Sequence, residues 1–322
     1  MISRRVALTT GLTYNVLEWD GPGTADDLTF VLVHGFGDLA HACWFEVAEL
    51  LARHGHVIAP DLRGHGDSDW ISGGGYYYFM DYVADLDDVI SRLARQRVVL
   101  VGHSMGGSVS SYYAGTRPDR LLGLALFEGL GPPDMGKLDG PARTAIWIDS
   151  WRMARTKRTP MASLDEAARR LRKNDDRLDA ALARRLAEVG TRETDGGFVW
   201  KHDPLHRTFG PNAFRLDVAI RYWRRIACPV VIVDGADSKI NLPAEELAQR
   251  RAYFANHRHV VVDHAGHAIP RHQPARVAEL ILDLAHAAAD HAAPPAGGTE
   301  RSPEPQAPDG APDHPGDQTR GI

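Results

Sequence analysis

The sequence predicts an α/β protein, a mostly parallel sheet with helices on both faces and a helical insertion late in the sheet. Three observations carry that reading. Short runs of apolar, largely β-branched residues recur, continuous rather than alternating, as strands buried on both faces read. Segments of helical periodicity separate them, as crossovers between parallel strands require. The rhythm stops between Gly131 and Arg225 and resumes at Pro229.

The elements follow in order. Val6–Leu8 and Thr13–Trp19 read as short edge strands, and Phe30–His34 (FVLVH) as a buried strand ending at glycine. His41–His54 has helical spacing, with Trp44, Val47, Ala48 and Leu51 on one face, and Val57–Pro60 is a second buried strand. Met80–Ala94 is helical, Val98–Val101 a strand, Met105–Gly115 a helix and Leu121–Phe127 a strand. After the break come Pro229–Asp234, Glu245–Tyr253, His259–Asp263 and a closing helix from Pro274 to about Ala289.

The predicted organisation is therefore a core of residues 1–130 and 226–291, a helical cap of residues 131–225 and a tail of residues 292–322. The cap holds helical stretches at Leu164–Lys173 and Leu178–Val189. It is also rich in aromatics, among them Trp147, Trp151, Trp200, Phe209 and Phe214. Each aromatic on its own reads as cap core before substrate contact. The tail carries seven prolines between Pro294 and Pro315 and little that is apolar, so it is expected to be disordered.

Composition narrows the function classes. With 43% hydrophobic and 25% charged residues, the 322-residue chain is of globular type. A net charge of −5 without a concentrated basic face argues against nucleic acid or an anionic membrane as partner. Lys and Arg between Arg143 and Arg192 are interleaved with acids and read as solvated helix faces. Two cysteines, Cys43 and Cys228, make no disulfide framework. No apolar run of spanning length and no signal-type segment is seen, so a cytoplasmic protein is expected.

The chemistry centres on Gly102-His103-Ser104-Met105-Gly106. This G-x-S-x-G directly follows the strand VVLV and opens a helix. Such a sharp turn needs glycines and lifts the serine hydroxyl above the sheet, a nucleophile elbow. The helix start adds unpaired N–H groups where an oxyanion would form. His34-Gly35-Phe36-Gly37 ends the earlier strand and must face the elbow. The Phe36 and Met105 amides are thus the expected pair of oxyanion donors. Among 16 histidines, His267 best fits a base, since it lies on a glycine-bearing loop between the last strand and the last helix. His264 and His272 compete with it. Two acids remain open, Glu128 at the end of the strand before the insertion and Asp237 in the loop after Val230–Asp234. Asp61, Arg63, His65 and Asp67 read as a turn-bracing hydrogen-bond cluster rather than metal ligands. No zinc spacing or dinucleotide fingerprint is present, and no cofactor is implied.

HGFGD (His34–Asp38), DLRGHGDSD (Asp61–Asp69), VGHSMGG (Val101–Gly107) and Ala265-Gly266-His267 resemble the α/β-hydrolase superfamily. Tyr82–Leu86 and Glu128–Pro132 are similar to its cap-bearing serine hydrolase-like members. The resemblance covers about residues 30–130 and 226–285 and implies an eight-stranded α/β-hydrolase fold with its triad in the order Ser, acid, His. Most members place the acid fourth in a Gly-x-x-Asp, which here is Ser238, with Asp237 one position early. Some haloalkane dehalogenases place it where Glu128 stands, 24 residues after the nucleophile, and Glu128 is favoured. The implied activity is cleavage of a carboxylic ester or related acyl bond through an acyl-enzyme. The expected partner is a small apolar or aromatic acyl substrate in a pocket with His103, Trp147, Trp151 and Trp200. C–C bond hydrolysis, acyl transfer or cyclisation, and a ligand-binding receptor on the same fold are the rivals.

Overall fold

A computed structural model describes residues 1–21, 28–71, 75–135, 140–156, 160–208, 210–239 and 242–292. The Pro-rich tail beyond residue 292 and Phe209 lie outside them. Ten strands are described. They are β1 (Ile2–Ala7), β2 (Thr13–Trp19), β3 (Leu28–Val33), β4 (His56–Pro60), β5 (Arg97–His103), β6 (Gly123–Phe127), β7 (Thr191–Thr194), β8 (Gly197–Trp200), β9 (Val230–Gly235) and β10 (His257–Val262). Eight of them form one sheet in the order β1-β2-β4-β3-β5-β6-β9-β10. Only β1 with β2 and β2 with β4 pair antiparallel; the rest of the ladder is parallel.

The strands carry apolar side chains to both faces because both faces are covered. Val31, Val33, Val98, Leu100, Leu124 and Leu126 belong to one core and Phe30, Leu32, Val99, Val101, Ala125 and Phe127 to the other, as a period of two demands. The core helices are α1 (Ala40–Leu51), α2 (Phe79–Leu93) and α3 (Met105–Thr116). The insertion contributes α4 (Gly140–Thr156), α5 (Leu164–Asn174), α6 (Ala180–Gly190) and α7 (Leu216–Trp223), followed by α8 (Ala244–Arg251), α9 (Ile269–His272) and α10 (Pro274–Ala292). Helices α1 and α10 cover one face; α2, α3 and α7 cover the other. None of the described helices is long and apolar enough to cross a membrane.

The insertion is not wholly helical. β7 and β8 form an antiparallel hairpin with Thr194 opposite Gly197, leaving Asp195-Gly196 as a two-residue turn. Neither takes positive φ; Gly197, at φ 116°, does, a conformation glycine adopts without steric cost. The turn residues were in the sequence, but β7 is largely exposed and β8 only half-buried, so neither shows a buried run.

The turn Asp61–Asp69 is braced as its residue types suggest. The Asp61 carboxylate accepts from Asn15 Nδ2 (2.8 Å), the Ala40 amide (2.8 Å) and the Asp67 amide (3.0 Å). Arg63 forks onto buried Asp85 (2.6 and 2.8 Å), and Tyr14 donates to the same carboxylate. Burial and the Asp85 charge push the Tyr14 hydroxyl far above its usual range, so it stays a donor. His65 donates from Nδ1 to the Arg63 carbonyl (3.0 Å), which leaves Nε2 to accept the Gly37 amide (3.2 Å). The turn therefore holds the loop after β3 in place over the elbow.

Candidate active site

Ser104 sits between β5 and α3 with φ 54° and ψ −121°. That strain is borne by its surroundings. Its amide donates to the Phe127 carbonyl (2.9 Å), tying the elbow to β6. A Cβ on Gly106 would lie 2.3 Å from the Val33 carbonyl oxygen, and one on Gly102 would lie 2.5 Å from that of Gly106. The glycines are thus required by close backbone approach.

His267 follows β10 on the loop before α9, and its Nε2 lies 3.0 Å from Ser104 Oγ. Its Nδ1 lies 3.4 Å from Glu128 Oε2. That is longer than the roughly 2.6–3.2 Å of a tight catalytic hydrogen bond, as is common before substrate binds. Glu128 directly follows β6 with φ 53°, and its side chain is 5% exposed. Its Oε1 accepts the Gly235 amide (2.8 Å) and its Oε2 the Ser238 hydroxyl (2.9 Å). Asp237 points elsewhere, with a half-exposed carboxylate paired to Arg177 at 2.7 Å. Ser238, at the position where the acid was sought, orients Glu128 instead. Of the competing histidines, His272 is engaged elsewhere: it accepts the Gly266 amide at Nδ1 (3.1 Å) and pairs with Asp175 (2.9 Å).

The Phe36 and Met105 amides have no acceptor among the described residues. Gly35, just before Phe36, passes so close to the elbow that a Cβ there would be 3.0 Å from Ser104 Cβ. His103, the residue before Ser104, is buried. Its Nε2 donates to the His267 carbonyl (2.8 Å), which leaves Nδ1 facing Cys43 Sγ at 3.8 Å. Burial, reinforced by neighbouring His267, lowers the His103 pKa to about 3, so this ring stays neutral and positions the His267 loop. Sequence reasoning had it as a pocket residue and missed that bond. Chemically, the arrangement can pass a proton from Ser104 to His267, hold the resulting cation beside a carboxylate and offer two N–H groups to a developing oxyanion.

Ser104, His103, Phe36, Trp200 and His267 line one cleft of about 990 Å³. Trp147 and Trp151 do not line it. They stack on one another (6.0 Å between centroids), Trp147 edges onto Tyr76, and Trp151 packs against the core cluster. Both are half-buried, and sequence alone does not say on which side of α4 an aromatic finds its neighbours. Among the described residues, two groups of ligand-type atoms lie within 4.8 Å of one another: Asp38, Cys43 and His103, and Glu18, Asp20 and His56. In the first, the Arg271 guanidinium already sits 2.9 Å from Asp38, which disfavours a second cation. In the second, His56 and Arg4 both engage Glu18 at 2.9 Å.

A family model described as the alpha/beta hydrolase fold matches residues 29–270. The chain belongs to the α/β-hydrolase fold family. Within the family, it is 30% identical over 175 residues to a serine hydrolase-like protein of Danio rerio, a match covering 53% of each chain. The α/β-hydrolase match to that relative thus spans about half of its length. Among solved structures, a thioesterase domain from the curacin biosynthetic pathway superposes with a TM-score of 0.76 at 28% identity, covering 88% of this chain and 99% of that one. An E-2-(acetamidomethylene)succinate hydrolase superposes with a TM-score of 0.70 at 25% identity, covering 88% and 98%.

Proposed function

We propose that this α/β hydrolase cleaves a carboxylic ester or related acyl bond through a covalent acyl-enzyme. The observation that carries the reading is the line Ser104–His267–Glu128, with 3.0 Å at the serine end and 3.4 Å at the carboxylate end. His267 Nε2 takes the proton as Ser104 Oγ adds to the acyl carbon. The Phe36 and Met105 amides receive the oxyanion, each donor contributing about 3–4 kcal/mol where such donors have been removed. Glu128 keeps the His267 proton on Nδ1 and stabilises the imidazolium. His267 then protonates the leaving group, and a water deprotonated by the same ring releases the acid. The insertion acts as a cap over this cleft. The solved neighbours, one named a thioesterase domain and one a hydrolase, support acyl-bond cleavage without choosing the bond.

Rapid mixing with p-nitrophenyl butyrate tests the intermediate. The expected trace has a burst of nitrophenol close to one equivalent of enzyme, followed by a slower steady rate. The same acyl group offered as a thioester should give the same deacylation-limited rate. A linear trace with different limiting rates for the two leaving groups would count against an acyl-enzyme whose breakdown limits turnover.

A further inference from the structure

The cleft above Ser104 has a charge pattern that its proposed chemistry does not use. Seven of its lining residues are Lys or Arg and four are Asp. Most of that charge is internally matched. Arg271 pairs with Asp38 (2.9 Å), Arg177 with Asp237 (2.7 Å), Lys201 with Asp67 (2.9 Å) and Arg170 with Glu166 (2.6 Å). The lining carboxylate of Asp175 is taken by His272 at 2.9 Å. Lys173, Arg207 and Lys239 have no carboxylate partner among the described residues, against the single unmatched Asp176. The cleft that Ser104 lines thus keeps a positive excess.

Two further features point the same way. Lys173 stands in the last turn of α5 and Arg207 ends the short 3-10 turn Pro204–Arg207, so separate elements of the insertion bring cations to one cavity. Arg271 gives one amino group to Asp38 while its Nε is buried without a hydrogen-bond partner. Between these cations the wall is apolar, with Leu39, Leu171, Leu178, Leu186 and Trp200. His202, stacked on Trp200, adds no charge, because burial and nearby Arg207 lower its pKa to about 4.

We propose that the cleft selects acyl groups that end in a carboxylate, with Lys173 and Arg207 holding the anion while the apolar wall holds the methylenes between it and the reacting carbonyl. The inference rests on the reading of Ser104 as the nucleophile and assigns the substrate class of that site. Lys173 and Arg207 are exposed, so their field attracts such a substrate modestly, and salt weakens the attraction.

Two arms test it. In the first, kcat/KM is compared for mono-p-nitrophenyl glutarate and neutral p-nitrophenyl butyrate. One exposed ion pair contributes a few-fold, so two together should favour the anionic ester by about tenfold at low salt. That preference should shrink in 0.5 M salt, taken as roughly an order of magnitude above low-salt buffer. In Lys173→Ala/Arg207→Ala it should collapse, with the loss in KM rather than kcat. In the second arm, Ser104→Ala is titrated calorimetrically with monomethyl and with dimethyl glutarate. The monoacid should bind about tenfold tighter, and the double substitution in that background should close the gap. Equal binding of the two esters, or a gap that survives the double substitution, overturns the proposal. A binding gap without turnover by the wild type would sink the hydrolase reading and leave the anion site standing; turnover without a gap would do the reverse.

Discussion

Ser104→Ala is expected to lower kcat for any accepted acyl substrate by at least about a thousandfold, because triad nucleophiles lose that much or more when removed. Alanine deletes only the hydroxyl that His267 Nε2 meets at 3.0 Å. The backbone at φ 54° is retained, and alanine meets the same strain there as serine does. The Phe36 and Met105 amides remain, so a small rate from oxyanion stabilisation alone should persist. Folding stability should change by no more than about 1.5 kcal/mol, the range of one hydrogen bond. Steady-state kinetics beside a denaturant melt check both halves. A variant that keeps more than about a hundredth of wild-type kcat would remove Ser104 from the mechanism.

Glu128→Gln should be nearly as severe, about a thousandfold or more in kcat with a smaller change in KM. Glu128 uses both oxygens as acceptors: Oε1 for the Gly235 amide, and Oε2 for the Ser238 hydroxyl while facing His267 Nδ1. A glutamine has one carbonyl oxygen. Set toward His267, it turns its NH2 against the Gly235 N–H. Set toward Gly235, it presents N–H to His267 Nδ1, moves the imidazole proton to Nε2 and blocks proton transfer from Ser104. Neither pose supplies the charge that stabilises an imidazolium. Asp237→Asn should cost a few-fold at most, since it breaks only a half-exposed pair with Arg177, a class worth about 0–1 kcal/mol. A dead Asp237→Asn beside an active Glu128→Gln would transfer the acid's role to Asp237.

The core strands were legible because FVLVH, VVLV and PVVIVD are buried on both faces, and continuous apolar runs have few other readings. The meeting of Ser104 and His267 was legible because strand-turn-helix context restricts which side chains the loops can bring together. Glu128 could be favoured over Asp237 because a one-residue shift in a tight loop re-aims a side chain. The structure turns Asp237 to Arg177 and uses Ser238 to hold Glu128. The insertion was much less legible. Its hairpin is short, with β7 largely exposed and β8 half-buried, and shows no buried run; the Asp195-Gly196 turn was its local mark. Trp147 and Trp151 carry the same apolar signal whether they line a cleft or pack on neighbours, and the structure stacks them on one another with Trp151 against the core cluster. The Lys and Arg residues between Arg143 and Arg192 read as solvated helix faces, yet three of them, Arg170, Lys173 and Arg177, line the cleft. Nothing in helical spacing says which solvated face looks into a cavity.

The central claim is that Ser104 Oγ is the atom that becomes covalently modified. A fluorophosphonate probe tests it directly, because attack on phosphorus expels fluoride and leaves a stable adduct on the nucleophile. Intact-mass and peptide mapping should find one equivalent of probe on the peptide bearing Ser104, none on Ser104→Ala, and much slower labelling of His267→Ala, which lacks the base 3.0 Å from the hydroxyl. An adduct on another residue, or undiminished labelling of Ser104→Ala, would contradict the account.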